Sequence, residues 1–289
     1  MAPSCKILLY LCLTHTFYCG LSQHHIEQNS GFQVYKDLGF SPADNSLTLD
    51  LFIPNGLTQS TPCIVVIKGG GFLSQDGQPF RFIAEYIAQN NYIAALISYR
   101  GRPDHTYETT LADIRASITY VKNNSDHYNI NPNRIGAVGR SAGGTLAALM
   151  AVDPDKNSKI HAAVAYAGVF DFESRFTDSL QIALQPEIQK KIISNGEWVG
   201  VPFATQDKHW RRVSAISHVD ADDPPIFFMH CKDDRTVPWP QSQAMYDKMI
   251  DAGIHAEIRY FETGGHGFRV GSREVWLAPM MDFFKRQFE

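Results

Sequence analysis

A chain of 289 residues is long enough for one large α/β domain or two small ones, and 44% hydrophobic against 19% charged residues is the balance of a chain that buries a core. Its 26 Lys and Arg are scattered among 30 Asp and Glu, for a formal net charge of -4, which leaves no basic stripe to follow a phosphate backbone and excludes nucleic acid as a partner.

The first two dozen residues differ from the rest. Lys6 precedes an apolar run over 7–13, and Gly20 and Ser22 stand where small residues precede a signal-peptide cleavage, expected before Gln23. This reading makes 1–22 a signal peptide and 23–289 the mature domain, secreted or periplasmic. The apolar run is far short of the roughly 20 residues that span a bilayer, so no stable membrane insertion is expected. Cys5, Cys12 and Cys19 fall in the leader, leaving Cys63 and Cys231 at opposite ends of two predicted parallel strands. That is too far for a bridge, and two free thiols are expected.

From 32 to 54 the pattern alternates and breaks at Pro54-Asn55-Gly56, which predicts two antiparallel strands at one edge of a sheet. Beyond it come short, nearly continuous apolar runs at 63–67, 92–98, 135–138, 162–167, 226–229 and 256–261, the texture of strands buried on both faces. Amphipathic stretches at 80–89, 110–123, 142–151, 241–252 and 274–288 alternate with them and predict helices. The fold class is therefore α/β, with a mostly parallel central sheet of about eight strands and helices on both faces. Residues 172–217 are too long for a simple crossover and read as a small cap insertion, helical over 178–194 with a break at Pro186.

Gly139-Arg140-Ser141-Ala142-Gly143 fits G-x-S-x-G between a strand and a helix, the context of a nucleophile elbow. Small residues on both sides allow so sharp a turn, and the helix starting there aims its N-terminal dipole at the serine oxygen. A serine hydroxyl needs a base, and His266 in Gly264-Gly265-His266-Gly267-Phe268 follows the last predicted strand at the same sheet edge. The acid belongs on the loop after the preceding strand, where Asp233 and Asp234 both stand; Asp234 is the choice. Lys68-Gly69-Gly70-Gly71-Phe72 follows the run 63–67, and consecutive glycines let N–H groups turn inward. Gly70 and Gly71, with Ala142, are assigned the oxyanion hole. Phe72 and Trp239 are candidate substrate contacts; Trp198 and Trp210 either line a cleft or pack the cap onto the sheet.

These motifs resemble the α/β-hydrolase esterases and lipases, in particular the hormone-sensitive-lipase-like esterases and the bacterial feruloyl- and acetyl-esterase-like hydrolases. The likeness runs from about residue 32 to the C-terminus and takes in Tyr99-Arg100, Pro103-Asp104-His105, Leu111-Ala112-Asp113, Asp223-Pro224-Pro225 and Gly253-Ile254-His255-Ala256. Two residues depart from the pattern. Lys68 replaces the histidine of His-Gly-Gly-Gly, and its ammonium is expected to reach a carbonyl and brace the loop in that histidine's place. Cys231 replaces a glycine in the acid loop.

The resemblance and the Ser–Asp–His order imply a serine carboxylesterase acting through an acyl-enzyme on short-chain or carbohydrate-linked acetyl or feruloyl esters, free or on a polysaccharide. Such chemistry needs no metal or organic cofactor, and no metal-ligand spacing appears. An amidase or peptidase of the same fold and a non-catalytic hydrolase-like binding protein are the rival readings. An interfacial lipase fits poorly, since Ile182, Ile188, Ile192 and Ile193 are interleaved with Glu187, Lys190 and Lys191.

Overall fold

The computed structural model describes residues 25–41, 44–74 and 77–289; the expected leader lies outside them. In chain order come β1 (Ile26–Gln28), β2 (Phe32–Gly39), β3 (Thr48–Pro54), β4 (Thr61–Ile67), α1 (Arg81–Gln89), β5 (Ile93–Ile97), α2 (Tyr107–Asn123), α3 (Ser125–Tyr128) and β6 (Ile130–Arg140). These are followed by α4 (Ala142–Ala151), β7 (Ala162–Tyr166), α5 (Phe172–Thr177), α6 (Ser179–Leu184), α7 (Ile188–Val199), α8 (Lys208–Arg212), β8 (Ile226–Cys231), α9 (Pro240–Asp251), β9 (Ala256–Phe261) and α10 (Glu274–Phe288).

Among the described residues one sheet of nine strands runs β1-β2-β3-β5-β4-β6-β7-β8-β9. The first three strands are antiparallel and β3 joins β5 antiparallel. From β5 through β4 to β9 every pairing is parallel. This is the α/β-hydrolase architecture, with one strand more than expected: β1 adds three residues to the antiparallel edge.

The apolar runs alternate between two cores, as strands covered on both faces must. Cys63, Val65 and Ile67 of β4 join the cluster containing Ile114 and Ile118 of α2, Leu146 of α4 and Met245 of α9. Ile64 and Val66 join the opposite one, with Ile83 and Ile87 of α1 and Met280, Phe283 and Phe284 of α10. Parallel strands covered on both faces converge at one sheet edge, so the loops after β4, β6, β8 and β9 meet there. Cys63 and Cys231 are both buried free thiols.

Residues 172–217 fold as four α-helices and a 3-10 turn (Ala215–Ser217) over that edge. Asp171 and Asp178 cap α5 and α6 by accepting backbone N–H groups. The helical stretch breaks where Pro186 forces its predecessor Gln185 into extended geometry, between α6 and α7. Trp198 and Trp210 are buried at the base of the cap, with indole N–H groups donating to Thr110 Oγ1 and the Pro202 carbonyl, each at 3.1 Å. They pack the cap rather than line a cleft. No helix among the described residues is long and apolar enough to cross a membrane.

Candidate active site

Ser141 stands in the turn from β6 to α4 with φ 59° and ψ -126°, a conformation L-residues avoid. The strain is held by packing and hydrogen bonding. The Ser141 N–H donates to the Tyr166 carbonyl at 2.8 Å, and the turn is closed so tightly that a Cβ on Gly139 would strike the Gly143 carbonyl, while one on Gly143 would strike that of Ile67. Only glycine lets α4 start here, with its first free N–H groups beside the nucleophile.

His266 lies in the loop after β9. Its Nε2 is 2.8 Å from Ser141 Oγ and its Nδ1 is 2.7 Å from Asp234 Oδ2. An ionised carboxylate only accepts, so the ring proton sits on Nδ1 and the Nε2 lone pair faces the serine hydroxyl. Asp234 is buried, and its Oδ1 also accepts the N–H groups of Thr236 at 2.7 Å and Val237 at 3.0 Å. Burial alone would raise this carboxyl, but the N–H groups of His230 and His266 more than reverse that and hold it well below the usual carboxylate range.

The glycine loop after β4 lies directly against the nucleophile: a Cβ on Gly69 would be 3.4 Å from that of Ser141. Gly70 and Gly71 have φ of 103° and 62°, the left-handed geometry that turns successive N–H groups to one side. Lys68 beneath them is wholly buried. Its Nζ donates to the Leu73 carbonyl at 2.7 Å and sits 3.5 Å from the centre of the Tyr99 ring. The Tyr99 hydroxyl in turn donates to the Lys68 carbonyl at 3.1 Å.

The two candidate substrate contacts part company. Phe72 is not open to a substrate: with φ 64° its ring turns away from the mouth, and at 2% exposure it stacks on Trp198 at 3.7 Å and 8°. It fastens the glycine loop to the cap. Trp239 is half-buried on the loop after β8, edge-on to Tyr260.

Four further residues shape the site, and of these only Asp233 stands out in the sequence. Asp233, the acid passed over, accepts the N–H groups of Gly264 at 3.1 Å and Gly265 at 2.8 Å and so fixes the His266 loop. His230 is buried behind Asp234, its Nε2 3.0 Å from the Val237 carbonyl and 3.5 Å from Asp234 Oδ2. Arg175 of α5 is buried in the cap and donates to Gln185, Asn195 and the Thr236 carbonyl, tying the cap to the acid loop. Burial pushes its guanidinium down to about 9, opposed by the Asp234 charge. Arg102 donates to the Gly71 carbonyl at 2.7 Å and to Glu197 of α7 at 2.6 Å. Among the described residues no group of three or more His, Cys, Asp or Glu is placed to hold a metal ion.

A family model described as BD-FAE matches residues 49–249. The probable carboxylic ester hydrolase LipM of Mycobacterium tuberculosis is 26% identical over 71% of this chain and 49% of its own length, so the chain spans about half of that relative. Among solved structures, a truncated form of a carbohydrate esterase from gut microbiota superposes with a TM-score of 0.78 at 22% identity, covering 91% of this chain and 99% of that one. A thermophilic esterase of Thermogutta terrifontis, with butyrate bound, gives 0.70 at 25% identity, covering 91% and 94%.

Proposed function

This chain belongs to the BD-FAE family, and from that premise we propose that it is a serine carboxylesterase. Ser141 attacks the ester carbonyl while His266 takes its proton. Asp234 holds the imidazole in the tautomer with its Nε2 lone pair facing Ser141 and stabilises the imidazolium that forms. The backbone N–H groups of Gly70, Gly71 and Ala142 receive the oxyanion. Collapse of the intermediate releases the alcohol, His266 returning the proton to it, and water repeats the sequence to free the acid. The observation that carries the reading is the unbroken chain from Asp234 through His266 to Ser141, with hydrogen bonds of 2.7 and 2.8 Å.

The substrates are short-chain or carbohydrate-linked esters, acetyl or feruloyl. Supporting this are the carbohydrate esterase and the butyrate-bound esterase among the structural neighbours. Secretion is part of the proposal and rests on Lys6, the apolar run 7–13, Gly20 and Ser22.

The test is hydrolysis of p-nitrophenyl acetate, butyrate and decanoate, with acetylated xylan as a polymer, by wild type and Ser141→Ala. A loss in the variant on the order of a millionfold in turnover is expected for a triad acting as a unit. Equal rates in the two proteins would remove Ser141 from the mechanism, and equal rates no faster than the uncatalysed background would leave a non-catalytic binding protein. Matched anilides in place of the esters separate esterase from amidase.

A further inference from the structure

On the His266 side of the nucleophile stand three arginines, two of which, Arg140 and Arg273, repel one another. Arg140, the residue before Ser141, is half-buried, with Nη1 3.3 Å from the Gly267 carbonyl and its guanidinium 5.4 Å from the centre of the Phe80 ring. Phe80 itself borders the nucleophile, its Cζ 3.1 Å from where a Cβ on Gly69 would stand. Exposed Arg269 belongs to the same loop, its Nε 3.6 Å from a Cβ placed on Gly267. Arg273 lies over the Phe82 ring at 4.1 Å, close enough to repel Arg140, whose ionisation burial and Arg273 both disfavour.

Most acids on the surrounding elements are engaged elsewhere; exposed Asp282 of α10 is not, and it lies towards Tyr86. Glu274 accepts the Tyr86 hydroxyl. Glu27 and Glu85 both pair with Arg81. Asp233 holds Gly264 and Gly265, and Glu262 pairs with Lys232. Among the described residues none of the three guanidiniums has an ion pair. In a chain of net charge -4, guanidiniums without an ion pair among the described residues, set beside the His266 loop, give a local positive field that attracts an anionic substrate.

We propose that Arg140, Arg269 and Arg273 form an anion-binding rim of the active-site mouth that selects esters carrying a carboxylate near the scissile bond. The planar guanidinium fork suits a carboxylate, which it binds through two parallel N–H···O bonds. The proposal rests on the serine esterase reading and names the substrate class for that site: acidic esters, with the carboxylate in either the alcohol or the acyl part.

Two pairs of probes separate those sources, the members of each pair matched in acyl chain length and in nitrophenol leaving group apart from the carboxylate itself. 5-Acetoxy-2-nitrobenzoate is compared with 4-nitrophenyl acetate, and mono-4-nitrophenyl adipate with 4-nitrophenyl hexanoate. At low ionic strength kcat/KM favours the carboxylated member of at least one pair by about tenfold, and the preference shrinks in high salt. Within each variant the same ratio is read, so a general loss of activity does not disguise the result. It falls towards one in Arg140→Gln and in Arg273→Gln, whose exposed side chain carries no fold, and is partly kept in Arg273→Lys. No preference in either pair, or one that neither Gln variant changes, overturns the proposal and leaves arginines that merely cover Phe80 and Phe82. Failure of wild type to hydrolyse even the neutral esters, or full activity of Ser141→Ala, overturns the esterase reading instead.

Discussion

The Nζ of Lys68 and the carbonyl oxygen of Leu73, five residues apart, close the glycine loop into a ring with a 2.7 Å hydrogen bond. The Tyr99 ring covers the ammonium at 3.5 Å, so a carbonyl dipole and a π face both contribute to stabilising the charge. A histidine braces the same loop in the esterases this chain resembles. The lysine does so from below, by holding the carbonyl that follows the loop. In Lys68→Met the stem still packs but the donor is gone. A charge-assisted hydrogen bond typically contributes about 1.5–3 kcal/mol, so the variant is expected to melt earlier and to lose roughly ten- to a hundredfold in kcat as the N–H groups of Gly70 and Gly71 lose their aim. A Met variant that melts early yet keeps full kcat would confine Lys68 to stability.

The neighbouring acids of the β8 loop do different work, and mutation should separate them. Asp234→Asn presents an amide to His266 Nδ1 and favours the wrong ring tautomer, so kcat should fall on the order of 10⁴-fold, as in other triads. Asp233→Ala removes the acceptor of two backbone N–H groups, at Gly264 and Gly265. It should cost about tenfold in kcat, through a His266 loop less well held. The reverse ranking in steady-state kinetics would exchange the two assignments.

That division of labour was half legible in the sequence. Ser141, Asp234 and His266 each carry a local mark: a glycine-flanked turn or a polar loop directly after an apolar strand. Their meeting follows from parallel topology alone. Asp233's part depends on contacts 31 and 32 residues away, which no local pattern records. Phe72 misleads for a related reason. Its place beside the glycines suggests substrate contact, but φ 64° turns the ring to Trp198, 126 residues further along. Pro186 predicted its helix break because proline acts on its own predecessor. β1 was missed because Ile26, Glu27 and Gln28 are too few to show a period, and their strand geometry comes from pairing with β2.

Arg102 offers a test of whether the cap and the glycine loop act together. It donates to Gly71 on one side and Glu197 on the other. Glu197 is mostly exposed, and an ion pair of that kind contributes about 0.2–1 kcal/mol. Glu197→Gln should therefore barely move the melting temperature, while Arg102→Ala, which also frees the Gly71 carbonyl, should lower kcat about tenfold. Combining the two should cost no more than Arg102→Ala alone, because the single change already breaks both links. A Glu197→Gln change that cost more in the Arg102→Ala background than in wild type would mean that Glu197 acts through a contact other than Arg102.

Two aspartates make stability depend on pH with opposite signs. Asp234 titrates well below the usual value in the fold, so its contribution is present above the unfolded value of about 4 and is lost as pH falls through the folded one. Asp223 behaves the other way. Burial, with repulsion from Asp220 and Asp222, pushes its carboxyl up to about 6. Its folded pKa is raised, so its contribution is complete below about pH 4 and is lost as pH rises through about 6. Asp223 Oδ2 accepts the Asp220 N–H at 2.9 Å, a bond that an asparagine carbonyl can also accept. Asp223→Asn should thus raise the melting temperature at pH 7.5 and leave it unchanged near pH 4, whereas Asp234→Asn should lower it at neutral pH and converge on wild type in strong acid. Melting curves taken from strong acid to pH 8 read both effects, and a gain in Asp223→Asn that persisted at pH 4 would trace it to packing rather than to the charge.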